Sequence, residues 1–143
     1  GYHIDFLTTQ IKNILHINKL WDVVVVGAGD VGHALSRYQG FSNRGFAVSM
    51  VFDNNPAKVG QKIGDFIVQD IARLPELVEK AQIRIAMLAV PAAQAQQVTD
   101  MLVKAGVKAI LNYAPINLVV PQGVKIQYID PVLHLQRMSF YLD

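Results

Sequence analysis

The sequence predicts an α/β fold: Rossmann-like, with a doubly wound, mainly parallel sheet. Three observations predict it. Strand-like apolar runs alternate with helix-like stretches, the pattern of right-handed βαβ units. The first run, residues 23–26, is four consecutive valines, which suits a strand covered by helices on both faces. It passes directly into Gly27-Ala28-Gly29-Asp30-Val31-Gly32, a G-x-G-x-x-G spacing, and Asp53 stands 21 residues beyond the last glycine. Dinucleotide-binding domains carry an acid at that distance.

Residues 2–18 read as an amphipathic helix, because Ile4, Leu7, Ile11 and Ile14 recur at intervals of three and four. A nucleotide-binding domain needs nothing before its first strand. This segment, taken as residues 1–19, is therefore either a helix packed on the sheet edge or a connector between domains. The start at Gly1-Tyr2, without an initiator Met, reads as that of a fragment or a processed product. Residues 21–129 form the expected core of the single domain.

In the glycine loop, Gly27 allows a tight turn, Gly29 allows a pyrophosphate close to the backbone, and Gly32 allows close helix packing. A helix beginning near Asp30 aims its unpaired N–H groups and positive dipole end at phosphates. Asp53 closes a second apolar run, residues 46–52, where a carboxylate accepts the ribose hydroxyls of NAD. The same charge repels a 2′-phosphate, and Asn54 and Asn55 bring no cation, so NAD(H) is expected over NADP(H). The plainer alternative is a purely structural βα turn.

Residues 31–38 form the first crossover helix, ending around Gly40. After the second strand, Pro56 suits the first position of a short helix. Residues 66–68 read as a third strand, and Leu74-Pro75-Glu76-Leu77 opens a helix to about Gln82. Residues 83–90 make another central strand, and Pro91 starts a helix through Val103 that stops at Gly106. Residues 108–111 and 124–128 are two further strands, joined by a Pro-containing loop. A ligand is expected across the carboxyl ends of these strands, at the switch point. Val90-Pro91 and Asn112-Tyr113-Ala114-Pro115 lie at those ends; they are either cofactor contacts or ordinary loop residues.

Asp130 and Pro131 begin a last helix, as N-cap and first helical residue. Val132, Leu135, Met138 and Leu142 recur on one face, with Leu133 and Tyr141 beside them. That face packs either on its own domain or on a partner subunit, as a dimerisation arm.

Composition narrows the function. Hydrophobic residues make up 52% and charged residues 17%, and no apolar run approaches the ~20 residues of a membrane span. No signal peptide pattern and no cysteine are present, which suits the cytoplasm and excludes thiol redox and Cys-zinc chemistry. The net charge is +2, with no stretch dense in Lys and Arg, so no nucleic-acid surface is evident. His3, His16, His33 and His134 show no metal spacing. His33 is expected as an exposed helix residue, able to lend charge to a phosphate when protonated. No Ser/His/Asp arrangement is visible, and no second domain presents a substrate to a nicotinamide. Sensing the cofactor is favoured over turning it over.

The chain also resembles the bacterial redox-sensing transcriptional repressor family Rex, over essentially its whole length but only that family's C-terminal part. The resemblance rests on residues 1–2 with the following helix, the glycine loop, Ala34-Leu35, Tyr38-Gln39-Gly40-Phe41, Arg44-Gly45-Phe46 and Phe52-Asp53. It continues through Pro56-Ala57-Lys58-Val59-Gly60, Ala89-Val90-Pro91, residues 109–115, Ile129-Asp130, Leu135 and residues 139–142. It implies a homodimer that binds NADH and NAD⁺ competitively. It further implies an N-terminal winged-helix domain, absent from this chain, that holds operator DNA when NAD⁺ prevails and releases it on NADH binding. The first helix would then be its connector, and residues 130–143 a domain-swapped helix inserted between the partner's domains. Tyr38 and Asp130 of the opposite subunit are implied as the pair that responds to nicotinamide oxidation state. Cofactor contacts are implied at the glycine loop, Asp53, Lys58, Val90, Pro91, Asn112, Ala114 and Pro115. His33 and Pro131 depart from the residues usual in the family at those places. Rival readings are the cofactor half of an NAD-dependent dehydrogenase or reductase, and a CoA- or ADP-binding module.

Overall fold

The computed structural model describes residues 20–142; the helix expected over residues 1–19 lies outside them. Six strands form one sheet in the order β5-β2-β1-β6-β7-β8. They are β1 (Trp21–Val26), β2 (Phe46–Asp53), β5 (Gln69–Asp70), β6 (Ile85–Leu88), β7 (Ala109–Asn112) and β8 (Lys125–Tyr128). Every pairing in it is parallel. Successive strands step outward from β1 one way through β2 and β5, and the other way through β6, β7 and β8. The connection reverses between β1 and β6, and a crevice opens at such a switch point.

The valine run is buried on both faces, as its sequence predicts. Val24 and Val26 point into one cluster with Phe52, Leu74, Val78, Leu88 and Leu102. Val23 and Val25 point into the other, with Val51 and Met87, against which Leu35 packs. The period of two along a strand divides them. Each fully buried valine stabilises the fold by about 1.5–3 kcal/mol. Helix α1 (Asp30–Arg37) covers the second cluster, and α2 (Leu74–Ala81) and α3 (Ala92–Lys104) cover the first.

Strand β2 carries an extra residue. Val23 pairs with Val48 but Val24 with Met50, so Ser49 bulges and its hydroxyl donates to Asp22 Oδ1 at 2.7 Å. The shift sets Phe52 opposite Val26, and Asp53 follows one residue beyond, level with the glycine loop.

Two expectations are corrected. Pro56 starts no helix: residues 56–60 form turns, closed by Lys58 and Val59 N–H groups donating to Asn55 O at 2.8 and 3.1 Å. Asn55 Oδ1 caps the turn by accepting from Ala57 N at 2.9 Å, but Gly60, at φ +88° and with its N–H given to Val68 O at 2.8 Å, ends it there. Residues 66–68 are not the third sheet strand. Lys62–Ile63 (β3) and Phe66–Ile67 (β4) pair antiparallel as a separate hairpin, and β5 takes the place beside β2. Helix α4 (Pro131–Phe140) leaves its apolar face open on the single chain: Val132, Leu135, Met138, Tyr141 and Leu142 are all exposed.

As expected, no helix joins β7 and β8. Side chains fasten the intervening loop instead. Gln96 of α3 accepts from Val119 N at 2.8 Å and donates to Val119 O at 2.9 Å. Tyr128 Oη accepts from Leu118 N at 2.9 Å. No described helix is long and apolar enough to cross a membrane.

Candidate functional site

The crevice is built at the end of β1. Gly27 adopts φ +106°, a region L side chains rarely enter, and donates to Phe52 O at 2.7 Å. A Cβ on Gly27 would also overlap the Ala89 carbonyl after β6. The first glycine therefore seats β1's exit against its neighbour as well as turning it. A Cβ on Gly32 would overlap the Gly27 carbonyl oxygen, so the third glycine lets the helix close onto the loop itself. Gly29 differs. It is the N-cap of α1 with an ordinary φ of −74°, and a Cβ there would meet nothing within 4 Å. Space over the middle glycine is open.

The first α-helical bond runs from His33 N to Gly29 O at 2.8 Å. The amides of Asp30, Val31 and Gly32 precede it and have no intrahelical acceptor. They present donors and the positive dipole end toward the open space, an arrangement that takes an anion. Asp30 and Val31 are exposed, and so is His33, as expected.

Asp53 meets this loop. Its Oδ2 accepts from Ala28 N at 2.7 Å, and its Oδ1 accepts from Asn55 N at 2.8 Å. The two bonds hold the carboxylate against the glycine loop while leaving it half-exposed. The sequence-predicted acid and the sequence-predicted loop are thus joined. Lys58 lies half-buried in the turn after Asn55.

The loops after β6 and β7 form the rest of the rim. Val90 is buried and Pro91, exposed, is the N-cap of α3. Ala114 is buried and Pro115 exposed. Asn112 is fully buried, and its side chain is spent within the loop. Its Nδ2 donates to Ala114 O and Ile116 O, both at 3.1 Å, and its Oδ1 accepts from Ala114 N at 2.8 Å. It shapes the rim rather than offering a free polar atom to it. Tyr113 packs beside the α1-side cluster, and burial pushes its phenol above the ordinary value.

Tyr38 and Asp130 do not share an end of the domain. Tyr38 follows the last residue of α1, exposed, with its ring edge-on to Phe41 at 4.7 Å. Asp130 follows β8 at the carboxyl end of the sheet, where it caps α4 by accepting from Val132 N at 3.0 Å. Beside Tyr38, along α1, runs a mostly apolar groove of about 770 Å³ lined by Val31, Ala34, Leu35, Phe41 and Phe46, with Asp30 and Arg44 also on its walls. Among the described residues no group of His, Asp and Glu is placed to hold a metal ion.

Sequence reasoning named Asn112 for its place on the rim but missed Gln96, which braces the same loop. Nothing in its local sequence marks Gln96, since its partner lies 23 residues away.

Comparison with known proteins adds the following. A family model described as a CoA binding domain matches residues 18–116. A curated protein of Chloroflexus aggregans, the redox-sensing transcriptional repressor Rex, is 48% identical over 99% of this chain and 67% of its own length. Crystal structures of RSP, described as a Rex-family repressor, include a complex with β-NADH at 34% identity and TM-score 0.84, covering 97% of this chain and 67% of that one. Its complex with β-NAD⁺ and operator DNA gives 34% identity and TM-score 0.85, covering 97% and 64%. The chain spans about two thirds of the length of these relatives.

Proposed function

The chain belongs to the Rex family of redox-sensing transcriptional repressors, and from that premise we propose that it is the NADH/NAD⁺-sensing domain of such a repressor, in which NADH binding releases DNA. The relatives are repressors and not enzymes, and RSP has been crystallised with NADH and with NAD⁺ plus operator DNA. The observation that carries the reading is the Asp53–Ala28 bond at 2.7 Å. It ties a ribose-binding acid to a loop whose remaining amides stand over open space.

In this reading the diphosphate sits on the amides of residues 30–32 above Gly29, and Asp53 takes the adenosine ribose. Val90, Pro91, Ala114 and Pro115 border the rest of the dinucleotide, with Asn112 shaping their loop and Lys58 near the ribose end. Residues 1–19 connect to a winged-helix domain, residues 21–129 hold the cofactor, and residues 130–143 cross to a partner subunit. The exposed face of α4 supports that last step, since Val132, Leu135 and Met138 stay in water on the single chain. The partner's groove along α1 gives them an apolar seat, with Tyr38 at its edge. Tyr38 and Asp130 then meet across subunits, which one protomer alone does not allow. Action on operator DNA supports a cytoplasmic location.

Sensing is a matter of differential affinity. Oxidised nicotinamide is a cation and reduced nicotinamide is not. A ligand shifts two dimer arrangements only by its difference in affinity for them. A hundredfold difference supplies about 2.7 kcal/mol per site. Calorimetric titration with NADH, NAD⁺ and NADP⁺, beside light scattering, tests the reading: NADH and NAD⁺ should compete for one site per chain of a dimer, and NADP⁺ should bind poorly.

The match to a CoA binding domain model favours one second reading, a CoA- or ADP-binding module. Asp53 counts against CoA, because a carboxylate at the ribose repels that cofactor's ribose phosphate. Displacement of NADH by CoA would decide for it.

A further inference from the structure

Two side chains bridge the crevice from opposite sides. Asn54 follows Asp53 at the end of β2, and Gln94 stands in the first turn of α3, which leads off from β6. Strands β2 and β6 flank β1 on either side, so a contact between these residues arches over the carboxyl end of β1. Asn54 Nδ2 donates to Gln94 Oε1 at 3.0 Å. The bond leaves Asn54 Oδ1 as an acceptor and Gln94 Nε2 as a donor, with no other partner among the described residues.

A carboxamide acceptor beside a carboxamide donor matches adenine, which offers its 6-amino group as donor and a neighbouring ring nitrogen as acceptor. The position suits that ring as well. Asp53, the immediate neighbour of Asn54, is the acid assigned to the adenosine ribose. A base attached to that ribose lies between the loop after β2 and the start of α3. Neither Asn54 nor Gln94 carries a charge, so the bridge is indifferent to the charge of the nicotinamide.

We infer that Asn54 and Gln94 form a clasp that recognises the 6-amino edge of the adenine ring, independently of the redox state of the dinucleotide. This rests on the reading of the crevice as a dinucleotide site. A double-headed amide contact of this kind contributes roughly tenfold or more in affinity.

The test uses the protein and three ligands: NADH, NAD⁺, and the 1,N6-etheno derivative of NAD⁺, whose etheno bridge blocks both the amino group and the ring nitrogen. Affinities are measured for the unaltered protein, Asn54→Ala and Gln94→Ala. The unaltered protein should prefer NAD⁺ to the etheno derivative by about tenfold or more. Each variant should lose about tenfold for NADH and NAD⁺ alike, and should bind NAD⁺ and its etheno derivative within threefold of each other. The ratio of NADH to NAD⁺ affinity should stay unchanged in both. Equal binding of NAD⁺ and its derivative by the unaltered protein overturns the clasp. So does a preference that survives in the variants, or a changed NADH to NAD⁺ ratio, which would put the pair near the nicotinamide. Failure of the unaltered protein to bind NADH at all would instead overturn the sensor reading and the clasp with it.

Discussion

Gly29→Ala separates a glycine kept for a ligand from the glycines kept for folding. Gly29 has an ordinary φ of −74°, and a Cβ there would meet nothing within 4 Å. Alanine in place of glycine at an N-cap costs about 0.5–1 kcal/mol, which lowers Tm by about 2–4 °C for a domain of this size. The added methyl occupies the space through which a diphosphate reaches the amides of residues 30–32. Losing one charge-assisted hydrogen bond, about 1.5–3 kcal/mol, weakens NADH by roughly 10- to 100-fold. Gly32→Ala behaves oppositely, because its Cβ overlaps the Gly27 carbonyl. Helix and loop must part, at about 3 kcal/mol or more, with a Tm fall near 10 °C. Thermal melting and NADH titration of both variants check this. A Gly29→Ala protein that melts normally and binds NADH normally would refute the placement of the diphosphate over that loop.

Four other outcomes follow from the same geometry. Asp53→Ala should weaken NADH and NAD⁺ by about tenfold each, and Asp53→Arg should move preference toward NADP(H), both read by calorimetry. Tyr38→Phe or Asp130→Asn should compress the ratio of NADH to NAD⁺ affinity, and an unchanged ratio would remove the pair from the switch. Leu135→Asp with Met138→Asp should convert a dimer to a monomer by light scattering without lowering the monomer's helical circular dichroism, since both side chains are exposed on the single chain. Tyr113 should ionise above the usual phenol range. Its folded value is raised by burial from 10.0, so its stabilisation is intact below that pH and is lost as pH climbs through the folded value. Tyr113→Phe should remove that part of the alkaline fall in Tm.

Much of this molecule was legible from its residues. The valine run, the glycine spacing and Asp53 carry their structural meaning locally, through burial, backbone freedom and charge. Lys125–Tyr128 and the helix after Asp130 were equally readable, the latter because Asp and Pro specify a cap. What was not legible lies in long-range choices. Whether residues 66–68 join the sheet depends on who else competes for the edge of β2, and Gln69–Asp70 wins it. The turn at residues 56–60 stops at Gly60, whose N–H goes to Val68 O, a partner outside the turn. The bulge at Ser49 is invisible in an apolar run of uniform period. At the site, Asp53 was placed correctly from spacing, but its bond to Ala28 required the fold. Asn112 looked like a contact because it sits on the right loop. Only the folded structure shows its amide spent on Ala114 and Ile116.

The most direct measurement is a competitive calorimetric titration of the protein with NADH, NAD⁺ and CoA. One site per chain should take NADH more tightly than NAD⁺, each displacing the other, while CoA displaces neither. Equal affinity for the two oxidation states, or displacement by CoA, would contradict the account.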